Sequence, residues 1–148
     1  MVTISVKTFH HLSKQELYDI LQLRTEVFVV EQNCVYQDID AKDQKALHVI
    51  LKKKEYVIGY TRIFRPGDYL EEASIGRVVV TKSERHSNYG TQLMMASIHA
   101  IHKKFNTRLI KISAQCYLEE FYKKLGFIRK SEPYLEDGIP HISMLLKD

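Results

Sequence analysis

The chain has 148 residues, 45% of them apolar and 27% charged. That suits one globular domain spanning 1–148 and excludes a disordered or fibrous protein. No apolar run approaches the roughly 18 residues that cross a bilayer. Met1 to Lys7 also lack the basic-then-apolar order of a secretory signal, so a cytoplasmic setting without a membrane partner is expected. The formal charge of +4 is scattered rather than gathered in a basic stripe, so nucleic acid is not an expected partner. Two cysteines, Cys34 and Cys116, are too few for a disulfide framework and form no CxxC pair; no metal site is expected.

The first element is announced by Ser13-Lys14-Gln15-Glu16, a capping box in which the Ser and Glu side chains satisfy otherwise unpaired helix N–H groups. Leu17, Ile20, Leu21, Val27 and Phe28 then recur at helical spacing. The stripe calls for an apolar residue at 24, where Arg24 stands. A buried arginine needs an anion, either a structural partner such as Asp38 or Asp40 or an acidic acceptor. Residues 33–45 read as a polar loop with room for a short second helix.

Strands are expected at 46–51 and 56–64, around a turn at 53–55. Pro66-Gly67-Asp68 is a further turn, and 74–80 is a β-branched strand whose apolar run implies burial on both faces. A polar loop over 81–89 precedes a helix marked by Met94, Ile98, Ile101 and Phe105. A strand at 109–114 and a short helix at 118–125 closed by Gly126 follow. Residues 127–134 and 139–146 read as a terminal hairpin around Asp137-Gly138. The order of elements is that of an α+β or α/β protein with βαβ crossovers in its second half.

The most informative segment, residues 75–93, runs strand, polar loop, helix. A helix N-terminus offers free N–H groups and about half a positive charge, which suits a phosphate. Gly90 permits close approach of a ligand to the backbone, Asn88 tolerates a left-handed conformation, and Arg85 and His86 add donors. The same residues also serve as an ordinary helix cap. No GxxxxGK or GxGxxG occurs, so a P-loop or Rossmann site has no support.

Arg85-His86-Ser87-Asn88-Tyr89-Gly90 resembles the pyrophosphate loop of the GNAT acetyltransferases, Gln/Arg-x-x-Gly-x-Gly/Ala, with Asn88 in place of the first glycine. Phe121-Tyr122-Lys123-Lys124-Leu125-Gly126-Phe127 resembles that family's second signature. The segments 23–32, 36–40, 75–80 and 136–141 resemble its ElaA-like branch. The resemblance implies an α+β fold, an α/β/α sandwich with a mixed, mostly antiparallel sheet whose central strands splay apart to admit acetyl-CoA. It implies acetyl transfer by direct attack of a primary amine, on a small molecule or peptide, by a monomer or homodimer. It places the pantetheine arm on backbone groups of Val78, Val79 and Val80. The pyrophosphate would meet the N–H groups of Arg85, His86, Ser87, Asn88, Tyr89, Gly90 and Thr91. Gln115 would lie across the splay and Lys124 would reach the terminal phosphate. Beside the resemblance, the broken stripe makes Arg24, and alternation along the strand makes Arg77, candidates for holding the acceptor.

Such chemistry needs a neutral amine, and a free alkylamine is neutral in only about one molecule in two thousand at pH 7. A base is therefore useful. Residues 75–80 hold no carboxylate, which leaves Glu31, His141 or a water. A backbone N–H, that of Val79, would polarise the thioester carbonyl. Tyr122 is the resemblance's candidate acid. A thiol near 8.5 against a phenol near 10 makes full proton transfer uphill by about 2 kcal/mol, so its expected role is a hydrogen bond to developing thiolate. Two alternatives stand beside this. Arg24, Phe28, Asp38 and Asp40 echo an acyl-homoserine-lactone-synthase-like acyltransferase, and a non-catalytic CoA-binding regulatory module would share the same loop.

Overall fold

The structure is a computed structural model and describes residues 1–147. One sheet of eight strands carries the fold: β1 (Val2–Thr8), β2 (Leu47–Lys53), β3 (Tyr56–Phe64), β4 (Ala73–Val80), β5 (Ile110–Gln115), β6 (Ile128–Arg129), β7 (Tyr134–Glu136) and β8 (Ile139–Leu146). Their spatial order is β1-β2-β3-β4-β5-β8-β6, with β7 also on β8. The β4–β5 pair is parallel and the other pairs are antiparallel, which is the mixed sheet the resemblance implied. The helix α2 (Tyr89–Phe105) makes the β4–β5 crossover. The short α3 (Glu119–Lys124) leads from β5 to β6, which run the same way on either side of β8.

α1 (Lys14–Arg24) starts as its capping box dictates: Ser13 Oγ accepts from the Glu16 N–H at 3.0 Å and Glu16 Oε1 from the Ser13 N–H at 2.9 Å. Glu16 also pins the helix to β1 and β2 through Lys7 (2.7 Å) and Lys52 (2.9 Å). Beyond Arg24 the helix does not stop. Residues Thr25–Glu31 continue as π-helix, with the N–H groups of Gln32 and Cys34 bonding carbonyls five residues back, those of Val27 and Val29. The buried stripe is phased differently from the expected one already within α1. Ile20, Leu23 and Val27 are buried against Ile50, Tyr60 and Val79, while Leu17 and Leu21 are only half-buried. On the opposite face, Leu93, Met94, Ile98 and Ile101 of α2 pack on Val49, Ile63, Ile75 and Ile112.

The structure differs from the sequence expectations in four places. β1 was assigned to no element; its three alternating apolar residues, Val2, Ile4 and Val6, are few, and the strand is fixed by pairing with β2. A 3-10 turn at Asp43–Lys45 is the only helix in the 33–45 loop. β4 is not buried on both faces: Gly76, Arg77 and Val78 are half-exposed, because β4 leaves β5 after two paired positions, Ala73 with Ile110 and Ser74 with Lys111. A bulge against β3, with Arg77 at φ 50°, marks the departure. The terminal hairpin is shorter than expected. Tyr134–Glu136 pairs with β8 through Asp137 and Gly138, both at positive φ as a tight hairpin turn requires, but residues 130–133 interrupt the first strand.

Candidate active site

The parting of β4 from β5 opens a cleft of about 1240 Å³ between the π-helical Thr25–Glu31, α2, α3 and the β7–β8 hairpin. α2 begins at its edge. Asn88 is left-handed at φ 65°, as a residue standing for glycine should be, and His86 is at φ 75°. No side chain caps the helix. The N–H groups of Tyr89, Gly90 and Thr91 have no acceptor among the described residues, and the first satisfied amide is that of Gln92, on the Asn88 carbonyl at 3.2 Å. These three residues line the cleft. A Cβ built on Gly90 would meet the Phe121 ring at 3.5 Å, an ordinary contact, so packing does not demand glycine there.

Of the expected coenzyme contacts, Val78 to Val80, Arg85, His86, Asn88 to Thr91, Gln115 and Lys124 all line the cleft; Ser87 does not. Arg85 departs from its expected part. Its N–H bonds the Lys82 carbonyl in a 3-10 turn at 3.5 Å, and its guanidinium grips Glu31 at 2.6 and 2.9 Å and the Val80 carbonyl at 3.0 Å.

One wall rests on three arginines and three aspartates. Arg24 is wholly enclosed. Its Nε bonds Asp38 at 2.8 Å, one terminal nitrogen bonds Asp43 at 2.8 Å, and the other bonds the Asp38 carbonyl at 3.2 Å. It does not line the cleft, so its expected part in holding substrate gives way to a structural one; its partners are Asp38 and Asp43, not Asp40. Asp40 is held instead by both terminal nitrogens of Arg62 at 2.8 Å, and Arg62 also bonds Asp43 at 2.9 Å. Arg77 does line the cleft, with its guanidinium on Asp38 at 2.7 Å and 2.9 Å. Burial would push Asp40 up, but Arg62 outweighs it and holds the carboxyl at about 2. Burial and Arg24 oppose one another in the same way at Asp43, with the net direction down.

Across the cleft, Tyr122 lies edge-on to Phe121 and Phe127, and its hydroxyl has no protein partner among the described residues. Burial raises its pKa well above the ordinary phenol value. Glu31, bonded by Arg85, is held below the usual carboxylate range.

His141 sits on β8 with Nδ1 2.7 Å from the Ile139 carbonyl. A carbonyl only accepts, so Nδ1 carries the proton and Nε2 is the free nitrogen of the neutral ring. Nε2 lies 3.6 Å from Glu136. Ser113 donates to Glu136 at 2.8 Å and accepts from the Tyr134 hydroxyl at 2.6 Å, and the Tyr134 ring stacks on His141. Ser113, Tyr134 and Glu136 were missed as site residues. The Asp-Gly turn could have found two of them, since a two-residue loop puts Tyr134 opposite His141. Gln115 bonds Gln32 at 3.4 Å and Cys34 meets the Asp137 carbonyl at 3.2 Å, so the end of the π-helix arches over this half of the cleft. Among the described residues, no group of three His, Cys, Asp or Glu side chains could hold a metal, and no helix is long and apolar enough to cross a membrane.

A splayed mixed sheet with an uncapped helix opening at the splay defines an acyl-CoA acyltransferase fold. The acetyltransferase (GNAT) domain family matches residues 9–147. Protein ElaA of Escherichia coli is 42% identical over 145 residues, 95% of each chain, and its crystal structure superposes with a TM-score of 0.93 over 99% of this chain and all of that one. The crystal structure of an acyl-CoA N-acyltransferase from Pseudomonas aeruginosa is 36% identical, with a TM-score of 0.93 over 99% of each chain. The acyl-homoserine lactone synthase LasI is similar in fold alone, at 14% identity and a TM-score of 0.78 over 99% of this chain and 89% of that one. The chain belongs to the GNAT acetyltransferase family, in its ElaA-like branch.

Proposed function

We propose that the protein is an acetyl-CoA-dependent N-acetyltransferase that acts on a primary amine by direct attack. The observation that carries this reading is the trio of unpaired amides of Tyr89, Gly90 and Thr91 at the mouth of the splay. Three free N–H groups at the positive end of a 17-residue helix suit a diphosphate. The half-exposed backbone of Val78 and Val80 offers the groups against which an extended arm would lie. When bound, the coenzyme supplies an activated acyl carbonyl and a thiolate leaving group.

The chain's own residues do the rest. The Thr81 N–H bonds the Ile58 carbonyl at 2.8 Å, so in the same register Val79 turns its N–H to Tyr60, and the donor that polarises the carbonyl is the N–H of Val78 or Val80 instead. Tyr122, whose raised pKa keeps the O–H intact, donates a hydrogen bond to the sulfur as charge develops there; proton transfer from it would be still more uphill than from a free phenol. His141 takes the amine proton at Nε2, its ring fixed by Ile139 and Tyr134. Glu31 is the weaker base because Arg85 stabilises its charged form. The direct test is calorimetry with acetyl-CoA followed by a thiol-release assay over an amine panel. Tight binding and amine-dependent thiol release are expected. Absence of binding would end the reading, and binding without turnover of any amine would leave a CoA-binding module.

A further inference from the structure

The cleft lining carries a cation outside the arginine–aspartate wall. Arg24, Arg62 and Arg77 are matched one for one by Asp38, Asp40 and Asp43, so that wall is neutral. Lys111 on β5 also lines the cleft, is half-buried, and has no carboxylate within 4.0 Å among the described residues. Its register partner across the parallel pair is Ser74, which is paired on its other side with Phe64, so these side chains share the cleft face of the sheet. Ser74 is 3% exposed, lines the cleft, and its hydroxyl has no partner. Arg62, 1% exposed and also on the lining, has an unpartnered Nε beside them. Buried donors are rarely left without acceptors. Here two of them, Ser74 Oγ and Arg62 Nε, stand on neighbouring strands of one sheet face, and Lys111 on the next strand adds a positive charge with no ion-pair partner among the described residues.

We infer that Lys111, Ser74 and Arg62 Nε form a subsite for a carboxylate on the acceptor. This deepens the acetyltransferase reading and rests on it. A single unpaired lysine matches a monoanion better than a phosphate. The geometry also sets the acceptor's length. Ser74 and the middle of the Val78–Val80 stretch are about five positions apart on β4, about 16 Å if fully extended and about 13 Å with the bulge at Arg77. A hydrogen bond of about 3 Å at each end takes up part of that span. This leaves roughly 7–10 Å between the attacking amine and the carboxylate, the length of two or three extended residues. An α-amino acid is too short. The acceptor is a linear amino-carboxylate of di- or tripeptide length.

An oligoglycine ladder of one to four residues, each as free acid and as carboxamide, tests this. The wild-type protein is expected to show a maximum in kcat/KM at two or three residues and at least a tenfold preference for acid over amide. Calorimetry of triglycine and triglycinamide on the CoA-saturated protein should show the same preference. In Lys111→Gln the ratio should fall below about two. Ser74→Ala should lower it several-fold with an unchanged or higher Tm, since it removes an unpartnered buried hydroxyl. Acid and amide peptides handled alike, or a preference that survives Lys111→Gln, would overturn the subsite. A drop in Tm in Ser74→Ala would remove Ser74 from it. Calorimetry of coenzyme A on the same samples separates the two ideas. Lost coenzyme binding in the wild type would sink the acetyltransferase reading, whereas intact coenzyme binding without carboxylate discrimination would sink only the subsite.

Discussion

At the start of α2, three main-chain amides face the cleft with nothing to bond, while on the opposite wall every nitrogen of Arg24 has an acceptor within 3.2 Å. Both regions are rich in donors and both lay in segments that stood out in the sequence. The difference lies in what completes them. The arginine–aspartate wall is closed upon itself except at Arg62 Nε, so its buried charges hold the shape of the acceptor side and pin the 36–43 loop to the sheet. The α2 end is left open, and a solvated helix terminus in a cleft is a place for something the chain does not contain. Buried charge by itself therefore says little about ligand binding, and the unmet donor says more.

Four measurements would break or sharpen that contrast. If the wall is architecture, Arg24→Met should destabilise the fold by about 3–5 kcal/mol in urea denaturation, because Asp38 and Asp43 stay buried without it. A loss below 1 kcal/mol would show that the wall is not self-supporting. If the open side carries the chemistry, His141→Asn should lower kcat about a hundredfold with unchanged coenzyme affinity; full activity would return the base role to water. Tyr122→Phe should slow turnover about tenfold, again without effect on coenzyme binding, as the loss of one hydrogen bond to a developing charge implies. The smallest effect concerns acid. Asp40 has its carboxyl pKa lowered from the usual value to about 2 in the fold, so its stabilisation is complete above about pH 4 and is lost as pH falls through 2. The wild-type protein should lose about 1–2 kcal/mol over that window relative to Asp40→Asn. Parallel acid limbs would mean that Arg62 does not hold the ionised form.

What was legible in the sequence was local. The capping box at Ser13, the left-handed Asn88, the strand Tyr56–Phe64 and the Asp-Gly turn each depend on neighbouring residues, and each appears in place. The family resemblance carried the splay and the sheet type. The arginine–aspartate wall was only half legible. Arg24 betrayed itself by breaking an apolar stripe, but its partners lie 14 and 19 residues away, and Arg77 reaches Asp38 across 39. No periodicity sorts three arginines among three aspartates over such distances. The Ser113–Glu136–His141 group was hidden for a related reason: β8 comes between β5 and β6 in space, and only that pairing brings Ser113 to the hairpin.

The π-helical stretch Thr25–Glu31 has a consequence for how this region tolerates change. Bonding five residues back accommodates one more residue per turn than an α-helix holds comfortably, so deleting a single residue there would let α1 run on in ordinary geometry with little local penalty. A π-helix turns less per residue, so six residues in α geometry would sweep nearly the same angle as these seven do. Glu31 would stay on the side of Arg85 and Gln32 on the side of Gln115. The wide turn thus gives the arch over the cleft a tolerance: it can take up a change in chain length that would throw a regular α-helix about 100° out of phase.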